Sequence, residues 1–319
     1  MKLVINIPAW NEEERIGSTI KRIPRQILGV DEVFIQVTSD GSTDKTLEKS
    51  RLAGVDSIYE RGIHRGIGVT FRDGVEQALK NGADIMVNLD ADGQFEPNDI
   101  YKLIQPILSG TADIVSADRF SGPKAKNIPF VKDILNRLAA SLIGSFMNVK
   151  IKDLTCGFRA YNREALLRLN LPGAFTYVQE AIIDALGKNL IIQWVPVEVT
   201  YFADRKSRVV KSILGYVSNS FRIIIRAVRD VRPMKFFGYP GLFLIALSML
   251  VLAIFFFKYF THDFKVTPFL NYLLFSSVTF LIGMQLLIFA FIADMIKSNR
   301  KLTEEGLYLQ KIQKYGQSK

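Results

Sequence analysis

The sequence predicts an α/β fold, a mainly parallel sheet with helices on both faces, followed by two membrane-spanning helices. Short apolar runs alternate with helical patterns over residues 1 to about 200, and such alternation is typical of parallel sheets. Two segments without any charged residue follow, Phe236 to Phe257 and Val266 to Ala293. Because about 20 apolar residues suffice to cross a bilayer, both segments qualify as spans.

Each element of the α/β region follows from its periodicity. Buried strands are predicted at Leu3–Ile7, Val33–Val37, Ile85–Leu89 and Ile114–Ala117, with a more exposed strand at Ile191–Tyr201. Helices are predicted at Glu12–Ile23, Thr43–Leu52, Gly68–Lys80 and Asn98–Leu108. Parallel sheets bind ligands beyond the carboxyl ends of their strands. The polar clusters that follow the first three strands are therefore expected on one rim.

The first cluster, residues 7–14, admits two interpretations. Asn11 is a good helix N-cap, and the three glutamates after it suit the positive end of a helix. Alternatively, Trp10 at a strand end offers a stacking surface for a nucleotide base.

The second cluster is Ser39-Asp40-Gly41-Ser42-Thr43-Asp44. It reads as a strand-to-helix turn, in which Asp40 is placed to accept hydrogen bonds from a base or ribose. It is not a P-loop, because no Gly-Lys-Ser/Thr follows. The later Gly66-Ile67-Gly68 is a weak phosphate-loop signal, since Phe71 stands where a dinucleotide fingerprint needs glycine.

The third cluster, Asp90-Ala91-Asp92-Gly93-Gln94, directly follows a buried strand. Two carboxylates in this position suit Mg²⁺ or Mn²⁺, which prefer oxygen ligands and keep substrate phosphates in their coordination shell. An EF-hand is excluded, because Gly93 occupies the fourth position and the twelfth is not glutamate.

Two further groups carry charge. The segment Asp153–Tyr161 contains Asp, Thr and Arg around a glycine, so it is either a structural Asp–Arg clamp or a surface that faces substrate. A basic group near the membrane segments could bind phosphate together with two upstream cations; its members are Arg205, Lys206, Arg208 and Lys211, with Arg119 and Lys132 upstream.

The charge pattern predicts an integral membrane protein with two spans and with both termini in the cytoplasm. Basic residues precede the first span and follow the second, whereas the connecting loop holds only Lys258 and Lys265. The N-terminus enters a strand pattern directly, so no signal peptide is expected. A single cysteine, Cys156, suits a reducing compartment. The net charge of +10 favours anionic lipid over nucleic acid as a partner.

Taken together, the motifs resemble family 2 glycosyltransferases, specifically the polyprenyl-phosphate hexosyltransferases such as dolichol-phosphate mannose synthases. The resemblance covers roughly residues 1–210, and the C-terminal hairpin fits the members with two spans. It is carried by residues 7–14 (IPAWNEEE), 40–44 (DGSTD), 89–94 (LDADGQ), 117–120 (ADRF) and 153–161 (DLTCGFRAY).

The resemblance implies a GT-A fold and an inverting, metal-dependent transfer. It implies nucleotide-sugar contacts from Pro8, Trp10, Glu12, Ser39, Asp40, Asp90, Ala91 and Gln179. Mg²⁺ or Mn²⁺ would be held by Asp90, Asp92 and Gln94. The implied catalytic residues are Asp92, Arg119, Asp153 and Glu180, and the implied lipid-phosphate contacts are Lys132, Arg205, Ser207 and Arg208.

Two departures from the family pattern shape the expectation. Ser39 stands where the family usually has the aspartate that reads the base, so the nucleotide remains open. The Gln-x-x-Arg-Trp signature of processive synthases is absent, so one sugar per acceptor is expected.

The expected function is transfer of mannose or glucose, from GDP-mannose or UDP-glucose, to a polyprenyl or dolichyl monophosphate at the cytoplasmic face. One alternative is a non-processive membrane glycosyltransferase with a hydroxyl acceptor, for which Asp153 is the candidate base. A second is a membrane protein that binds nucleotide sugars without catalysis. A nucleotidyltransferase would need a glycine- and lysine-rich loop that the chain lacks. Homo-oligomers through the hairpin are also possible.

The predicted domain organisation has five parts. They are a glycosyltransferase domain at 1–205, amphipathic juxtamembrane helices at 206–232, transmembrane helices at 236–258 and 268–293, and a basic cytoplasmic tail at 294–319.

Overall fold

A computed structural model describes most of the chain. The described residues are 1–121, 130–171, 173, 177–200, 221–222, 225, 228–262, 264 and 266–316, without the side chains of 130–135 and 138. They form two compact units, one of residues 1–224 with 306–319 and the other of residues 225–305.

The first unit is built on a seven-stranded sheet with the strand order β3-β2-β1-β4-β6-β5-β7. Its strands are β1 Lys2–Ala9, β2 Glu32–Asp40, β3 Ser57–Arg61, β4 Ile85–Asn88, β5 Ile114–Asp118, β6 Arg159–Asn162 and β7 Ile192–Pro196. Only β6 runs antiparallel to its neighbours, β4 and β5. The sheet is therefore mainly parallel, as predicted.

Helices cover both faces of this sheet. They are α1 Ile16–Lys21, α2 Thr46–Leu52, α3 Ile67–Lys80, α4 Ile100–Leu108, α5 Phe130–Met147, α6 Arg163–Arg168 and α7 Val178–Gly187. Alternate residues of a strand point to opposite faces, and β1 shows this directly. Leu3, Ile5 and Ile7 join the core formed with α1 and α4, whereas Val4 joins the core formed with α3, α6 and α7.

The structure corrects several predicted elements. β3 and β6 were not predicted, because β3 is a short, half-buried edge strand and β6 begins with Arg159 instead of an apolar residue. The last strand ends at Pro196, well before Tyr201, and Val199 makes only an isolated bridge to Phe95.

The second unit contains two helices long and apolar enough to cross a membrane. They are α8 Tyr239–Thr261 and α9 Leu270–Tyr315, and the last turns of α9 belong to the first unit. Small residues bring α8 and α9 together: a side chain on Gly283 would lie 2.9 Å from the carbonyl oxygen of Gly241. Ser248 Oγ also donates a hydrogen bond to the carbonyl of Ser276, at 2.9 Å.

The domain boundaries given above remain predictions. The juxtamembrane segment at 206–232 lies mostly outside the described residues. The predicted tail is helical as far as Tyr315 in the structure.

Candidate active site

The loops that follow β1 and β2 are tied to one another by hydrogen bonds. Asn11 has a positive φ of 54°, and its side-chain oxygen accepts a bond from the Thr43 amide at 2.8 Å. The Asn11 amide donates to Ser42 Oγ at 3.1 Å, and the Glu12 amide donates to Thr46 Oγ1 at 2.8 Å. Asn11 is thus a bridge between two loops. The N-cap prediction for it was wrong, since α1 begins only at Ile16.

Asp40 holds a third loop against this rim. Its carboxylate is almost fully buried and accepts hydrogen bonds from the amides of Arg65 at 2.9 Å and Gly66 at 2.8 Å. His64 Nδ1 lies 2.9 Å from the same carboxylate. The His64 ring stacks on Trp10, with ring centroids 4.1 Å apart and an angle of 22° between the planes. Asp40 therefore positions an aromatic pair at the strand ends.

His64 is a residue of this site that the sequence did not reveal. The signal available was its place two residues before the Gly66 turn. Gly41 makes the close approach of this loop possible, because a side chain there would lie 2.9 Å from the His64 amide nitrogen.

Ser39 and Pro8 lie deeper in the same rim. Pro8 is buried in β1 and pairs with Thr38 of β2. Ser39 is also buried, and its hydroxyl lies 3.1 Å from Ser42 Oγ and 3.3 Å from the Ser42 amide. The Ser39 hydroxyl thus stabilises its own turn.

The acidic cluster after β4 is rigid at its backbone and partly open at its carboxylates. Asp92 Oδ1 accepts a hydrogen bond from the Gln94 amide at 3.0 Å, and the Ala91 carbonyl accepts one from Thr19 Oγ1 at 3.2 Å. Asp90, Asp92 and Gln94 are each half-buried, whereas Ala91 is buried. The cluster can therefore present oxygen atoms to a ligand without reorganising its turn.

This donor set fits a magnesium or manganese ion. In the described part of the chain, no group of three or more His, Cys, Asp or Glu side chains forms a complete protein cage for a metal. Mg²⁺ does not need such a cage, because one or two carboxylates plus substrate phosphates and water usually bind it. Asp90, Asp92 and the Gln94 amide oxygen match that pattern.

A buried tyrosine forms the floor beneath Asp90. The hydroxyl of Tyr177 accepts a hydrogen bond from Asn88 Nδ2 at 2.8 Å and donates one to the Gly157 carbonyl at 3.2 Å. A side chain on Gly157 would lie 3.2 Å from both carboxylate oxygens of Asp90 and 3.1 Å from that hydroxyl. Burial, with the nearby Asp90 charge, raises the pKa of Tyr177 well above its usual value. The neutral hydroxyl therefore persists at physiological pH.

The polar network continues from Asn88 beneath the sheet. Asn88 Oδ1 accepts a hydrogen bond from Asn6 Nδ2 at 2.8 Å, and Asn6 Oδ1 accepts bonds from Gln36 at 2.9 Å and Thr38 at 2.7 Å. All four side chains are buried. The sequence did signal this network, since Asn6 and Asn88 interrupt apolar strands, but it did not reveal their partners.

Arg119 directly follows β5 and binds Asp153, which precedes β6. Arg119 Nε lies 2.7 Å from Asp153 Oδ2, and Arg119 Nη2 lies 2.9 Å from Oδ1 and 2.7 Å from Thr155 Oγ1. Asp153 is fully buried. Burial is the largest single influence and opposes ionisation, but the charge and hydrogen bonds of Arg119, the Thr155 amide and the charge of Arg159 together lower the pKa of Asp153 below the ordinary carboxyl value. Of the two interpretations of this segment, the geometry favours the clamp.

Helix α7 carries Gln179 and Glu180 and directly follows Tyr177. Arg159 is fully buried and donates to the Val178 carbonyl at 2.6 Å, which fixes the first turn of α7. Glu180 Oε2 accepts a bond from the Gly173 amide at 3.2 Å. The buried Gln179 Oε1 has no hydrogen-bond partner among the described residues. Such an atom normally finds water or a ligand.

Unpartnered buried atoms also occur beside the Arg119–Asp153 clamp. In the described regions, Asp118 Oδ2 and Asn136 Nδ2 make no hydrogen bond, although Asn136 Oδ1 accepts one from Thr155 Oγ1 at 3.2 Å. Buried polar atoms of this kind normally bind water or a ligand.

Of the predicted lipid-phosphate residues, the structure describes only the backbone of one. Lys132 lies in α5, but its side chain is outside the description. Arg205, Ser207 and Arg208 lie outside the described residues. The structure joins the predicted residues after β1 and β2 by hydrogen bonds and has the acidic cluster at the end of β4, which pairs with β1. The predicted lipid-phosphate contacts stay predictions.

Comparison with known proteins agrees with this architecture. Residues 4–169 match the family model of glycosyl transferase family 2. The chain is 29% identical over 176 residues to the polyprenol monophosphomannose synthase of Mycolicibacterium smegmatis, covering 53% of this chain and 65% of that protein. It is also 29% identical over 234 residues to the UDP-N-acetylglucosamine–dolichyl-phosphate N-acetylglucosaminyltransferase of Methanococcus voltae, covering 66% and 90%.

A solved structure shows the same fold. Glucosyl-3-phosphoglycerate synthase from Mycobacterium tuberculosis, in complex with Mn²⁺, UDP and glucosyl-3-phosphoglycerate, superposes with a TM-score of 0.54 at 21% identity, over 72% of this chain and 79% of that one. The fold is thus GT-A. With more than half of its length matched by the family model, the chain belongs to glycosyl transferase family 2.

Proposed function

We propose that this protein transfers a single hexose from a sugar nucleotide to a polyprenyl or dolichyl monophosphate at the cytoplasmic face of a membrane. The observation that carries the proposal is a half-buried pair of carboxylates, Asp90 and Asp92, on a family 2 fold whose chain continues into two helices able to cross a membrane. Two relatives are named as a polyprenol monophosphomannose synthase and a dolichyl-phosphate N-acetylglucosaminyltransferase.

The nucleotide sugar would bind along the strand-end rim. Trp10, backed by His64, offers a flat apolar face to the base. The turn around Ser39 and Asp40, together with Pro8, Glu12 and Ala91, would contact the nucleotide sugar. Asp90, Asp92 and Gln94 would hold Mg²⁺ or Mn²⁺, an ion whose chemistry is to neutralise the diphosphate as the leaving group gains charge.

The transfer itself is a single displacement with inversion. An oxygen of the lipid phosphate forms the new bond to the anomeric carbon, the bond from that carbon to the diphosphate breaks, and the nucleoside diphosphate leaves with the electron pair. A phosphate monoester has its second pKa near about 6, so it is largely dianionic and needs no strong base. Gln179 and Glu180 would orient the sugar or acceptor. Cations at Lys132, Arg205 and Arg208, with Ser207, would bind the lipid phosphate.

Asp153 bears on the choice of acceptor. A hydroxyl acceptor requires a base positioned to accept its proton, but both oxygens of Asp153 are engaged by Arg119 and its pKa is lowered. This arrangement disfavours Asp153 as a base and supports a phosphate acceptor. Arg119 and Asp153 are then expected to shape the acceptor side together.

The C-terminal turns of the chain support the proposed topology. Tyr308 and Lys311 contact the same unit as the N-terminal sheet. These contacts support a topology in which the segments before the first span and after the second share one side of the membrane, as two crossings allow. The basic residues that flank the spans favour the cytoplasmic side.

The sugar is the least constrained part of the proposal. Mannose and glucose are the leading choices, and the relatives at 29% identity carry names with mannose and with N-acetylglucosamine. Purified full-length protein should be incubated with dolichyl or undecaprenyl phosphate, Mg²⁺ or Mn²⁺, and radiolabelled GDP-mannose, UDP-glucose or UDP-N-acetylglucosamine, one donor at a time.

Label is expected in the organic phase from one donor, and EDTA should abolish it. Asp92→Ala should abolish turnover, whereas Asp31→Asn, an exposed change at the opposite end of the sheet, should not. Nucleotide binding without transfer from any donor would reject the lipid-phosphate acceptor.

A further inference from the structure

The final turns of α9 pack within the first unit. In the sequence, they are far from the acidic cluster at Asp90–Gln94. Tyr308, Lys311 and Tyr315 recur at helical spacing and are half-buried, whereas most of their neighbours are exposed. Tyr308 and Tyr315 pack against the core shared by α3, α6 and α7. We call residues 306–316 the terminal segment.

Lys311 makes the most specific contact of the terminal segment. Its ammonium group donates hydrogen bonds to the carbonyls of Leu167 at 3.1 Å and Leu169 at 3.0 Å, and to Asn170 Oδ1 at 3.0 Å. These acceptors lie at the carboxyl end of α6, where helix carbonyls lack partners within the helix. A cation is favoured there by the helix dipole. Lys311 therefore caps α6 from a distant part of the chain.

Two tyrosines flank this cap. The Tyr308 hydroxyl lies 2.9 Å from both carboxylate oxygens of Glu164, and Arg168 stacks 4.2 Å from the centre of the Tyr308 ring. The Tyr315 hydroxyl donates to Glu76 of α3 at 3.1 Å. The terminal segment thus makes hydrogen bonds to both α6 and α3.

The capped residues connect directly to the elements of the active site. The Asn170 amide donates to Asp184 of α7 at 3.3 Å, and Lys188, which directly follows α7, donates to the Arg168 carbonyl at 2.7 Å. Arg72 of α3 donates to the Leu171 carbonyl at 2.9 Å. Residues 167–171 therefore contact both the terminal segment and α7, the helix that carries Gln179 and Glu180. Through them, the terminal segment can set the position of α7.

We propose that Lys311 is a positioning residue for sugar transfer, because it fixes the end of α6 and, through it, helix α7 on the acceptor side of the site. This inference rests on the proposed function. The nucleotide loops are held separately by Asp40 and Asn11. Loss of the cap should therefore impair transfer and leave nucleotide binding intact.

The test compares Lys311→Met with Lys311→Arg in the full-length protein. Lys301→Met is the matched control, since it is the same change at an exposed position of the same helix. Lys311→Met should lower kcat by about tenfold to a hundredfold, the scale of a small misplacement of catalytic groups. Its nucleoside diphosphate affinity should stay within about twofold of wild type, well below the 1.4 kcal/mol of a tenfold change. Lys311→Arg should restore most of the activity, and Tyr308→Phe should give a smaller loss.

Hydrogen exchange of the α7 amides gives a second measurement that does not depend on turnover. Exchange should accelerate in Lys311→Met and not in Lys301→Met. Unchanged turnover with unchanged α7 exchange would overturn the inference, and so would a loss of nucleotide affinity that parallels the loss of turnover. If the wild type transfers no sugar, the proposed function fails, and the exchange of α7 alone then decides whether Lys311 positions that helix.

Discussion

Arg119 and Asp153 form a bidentate ion pair in the interior of the catalytic unit, with N–O distances of 2.7 and 2.9 Å. The exposed fractions of the two side chains are 6% and 0%. The pair is joined by Thr155, whose hydroxyl accepts from Arg119 and lies 3.2 Å from Asn136 Oδ1. Such a pair holds the loop that follows β5 against the segment that precedes β6.

Breaking this pair from either side should destabilise the protein strongly. Asp153→Asn keeps the shape of the side chain but removes the charge, and Arg119→Met removes the other partner. Each should lower the free energy of unfolding by about 3–5 kcal/mol, because a buried charge loses its counter-ion. The double variant should lose clearly less than the sum. Denaturant unfolding in detergent measures all four proteins, and additive losses would show that the two residues act independently.

The same pair predicts how stability depends on pH. The pKa of Asp153 is lower in the folded protein than in the unfolded chain, because Arg119, Thr155 and Arg159 together outweigh the effect of burial. The unfolded chain therefore takes up this proton first as the pH falls. The stabilisation is full above the ordinary carboxyl pKa and is lost as the pH falls toward the folded value. Between pH 7 and pH 3, wild type should lose more unfolding free energy than the double variant, and equal losses would contradict this assignment.

The stacked pair of Trp10 and His64 makes a prediction about nucleotide binding. Trp10 is 36% exposed, so one part of the ring remains available to a base. Trp10→Ala should weaken binding of GDP or UDP by about tenfold, which corresponds to 1.4 kcal/mol, and Trp10→Phe should recover part of the loss. Calorimetric titration with each nucleotide measures the effect. Tyr101→Phe, an exposed aromatic change on α4, serves as the control. Unchanged affinity in Trp10→Ala would place the base elsewhere.

The fold was predictable wherever the sequence pattern is local. Apart from Lys2, Asn6 and Asn88, the residues of β1 and β4 are apolar because both faces of these strands are covered. Helix α3 matches its predicted range to within one residue. β6 was missed because Arg159 and Asn162 occupy its ends. The charge of Arg159 is satisfied by carbonyls and a hydroxyl that only the folded chain brings near.

In the candidate site, too, residues marked by a local sequence pattern were predictable and long-range contacts were not. Asp90 and Asp92 stand two residues apart beside a recognisable strand, so their placement was predictable. The tyrosine beneath them was not, because Tyr177 is 89 residues from Asn88 along the chain. His64 was equally hidden, since its partner Trp10 lies on another loop. Long-range contacts of this kind leave no periodic mark on the sequence.

The hydroxyl of Tyr177 gives the last prediction. It hydrogen-bonds to Asn88 and to the Gly157 carbonyl, and the Asp90 carboxylate lies close to Gly157. The hydroxyl therefore helps to position Asp90. Tyr177→Phe removes the hydroxyl and keeps the ring that stacks on Phe71 at 3.9 Å. Loss of these buried hydrogen bonds should cost about 1–3 kcal/mol of stability.

The effect of Tyr177→Phe on metal affinity tests the role of the hydroxyl more specifically than its effect on stability. Groups that orient metal ligands typically contribute about tenfold to a hundredfold to metal affinity, so Tyr177→Phe should weaken Mn²⁺ binding by that factor in the presence of nucleoside diphosphate. Tyr161→Phe is the matched control, because Tyr161 is buried in the same core but its hydroxyl makes no bond to the Asn88 network. Calorimetry with Mn²⁺ would compare the two variants. Equal Mn²⁺ affinity in both would show that Asp90 holds its position without help from Tyr177.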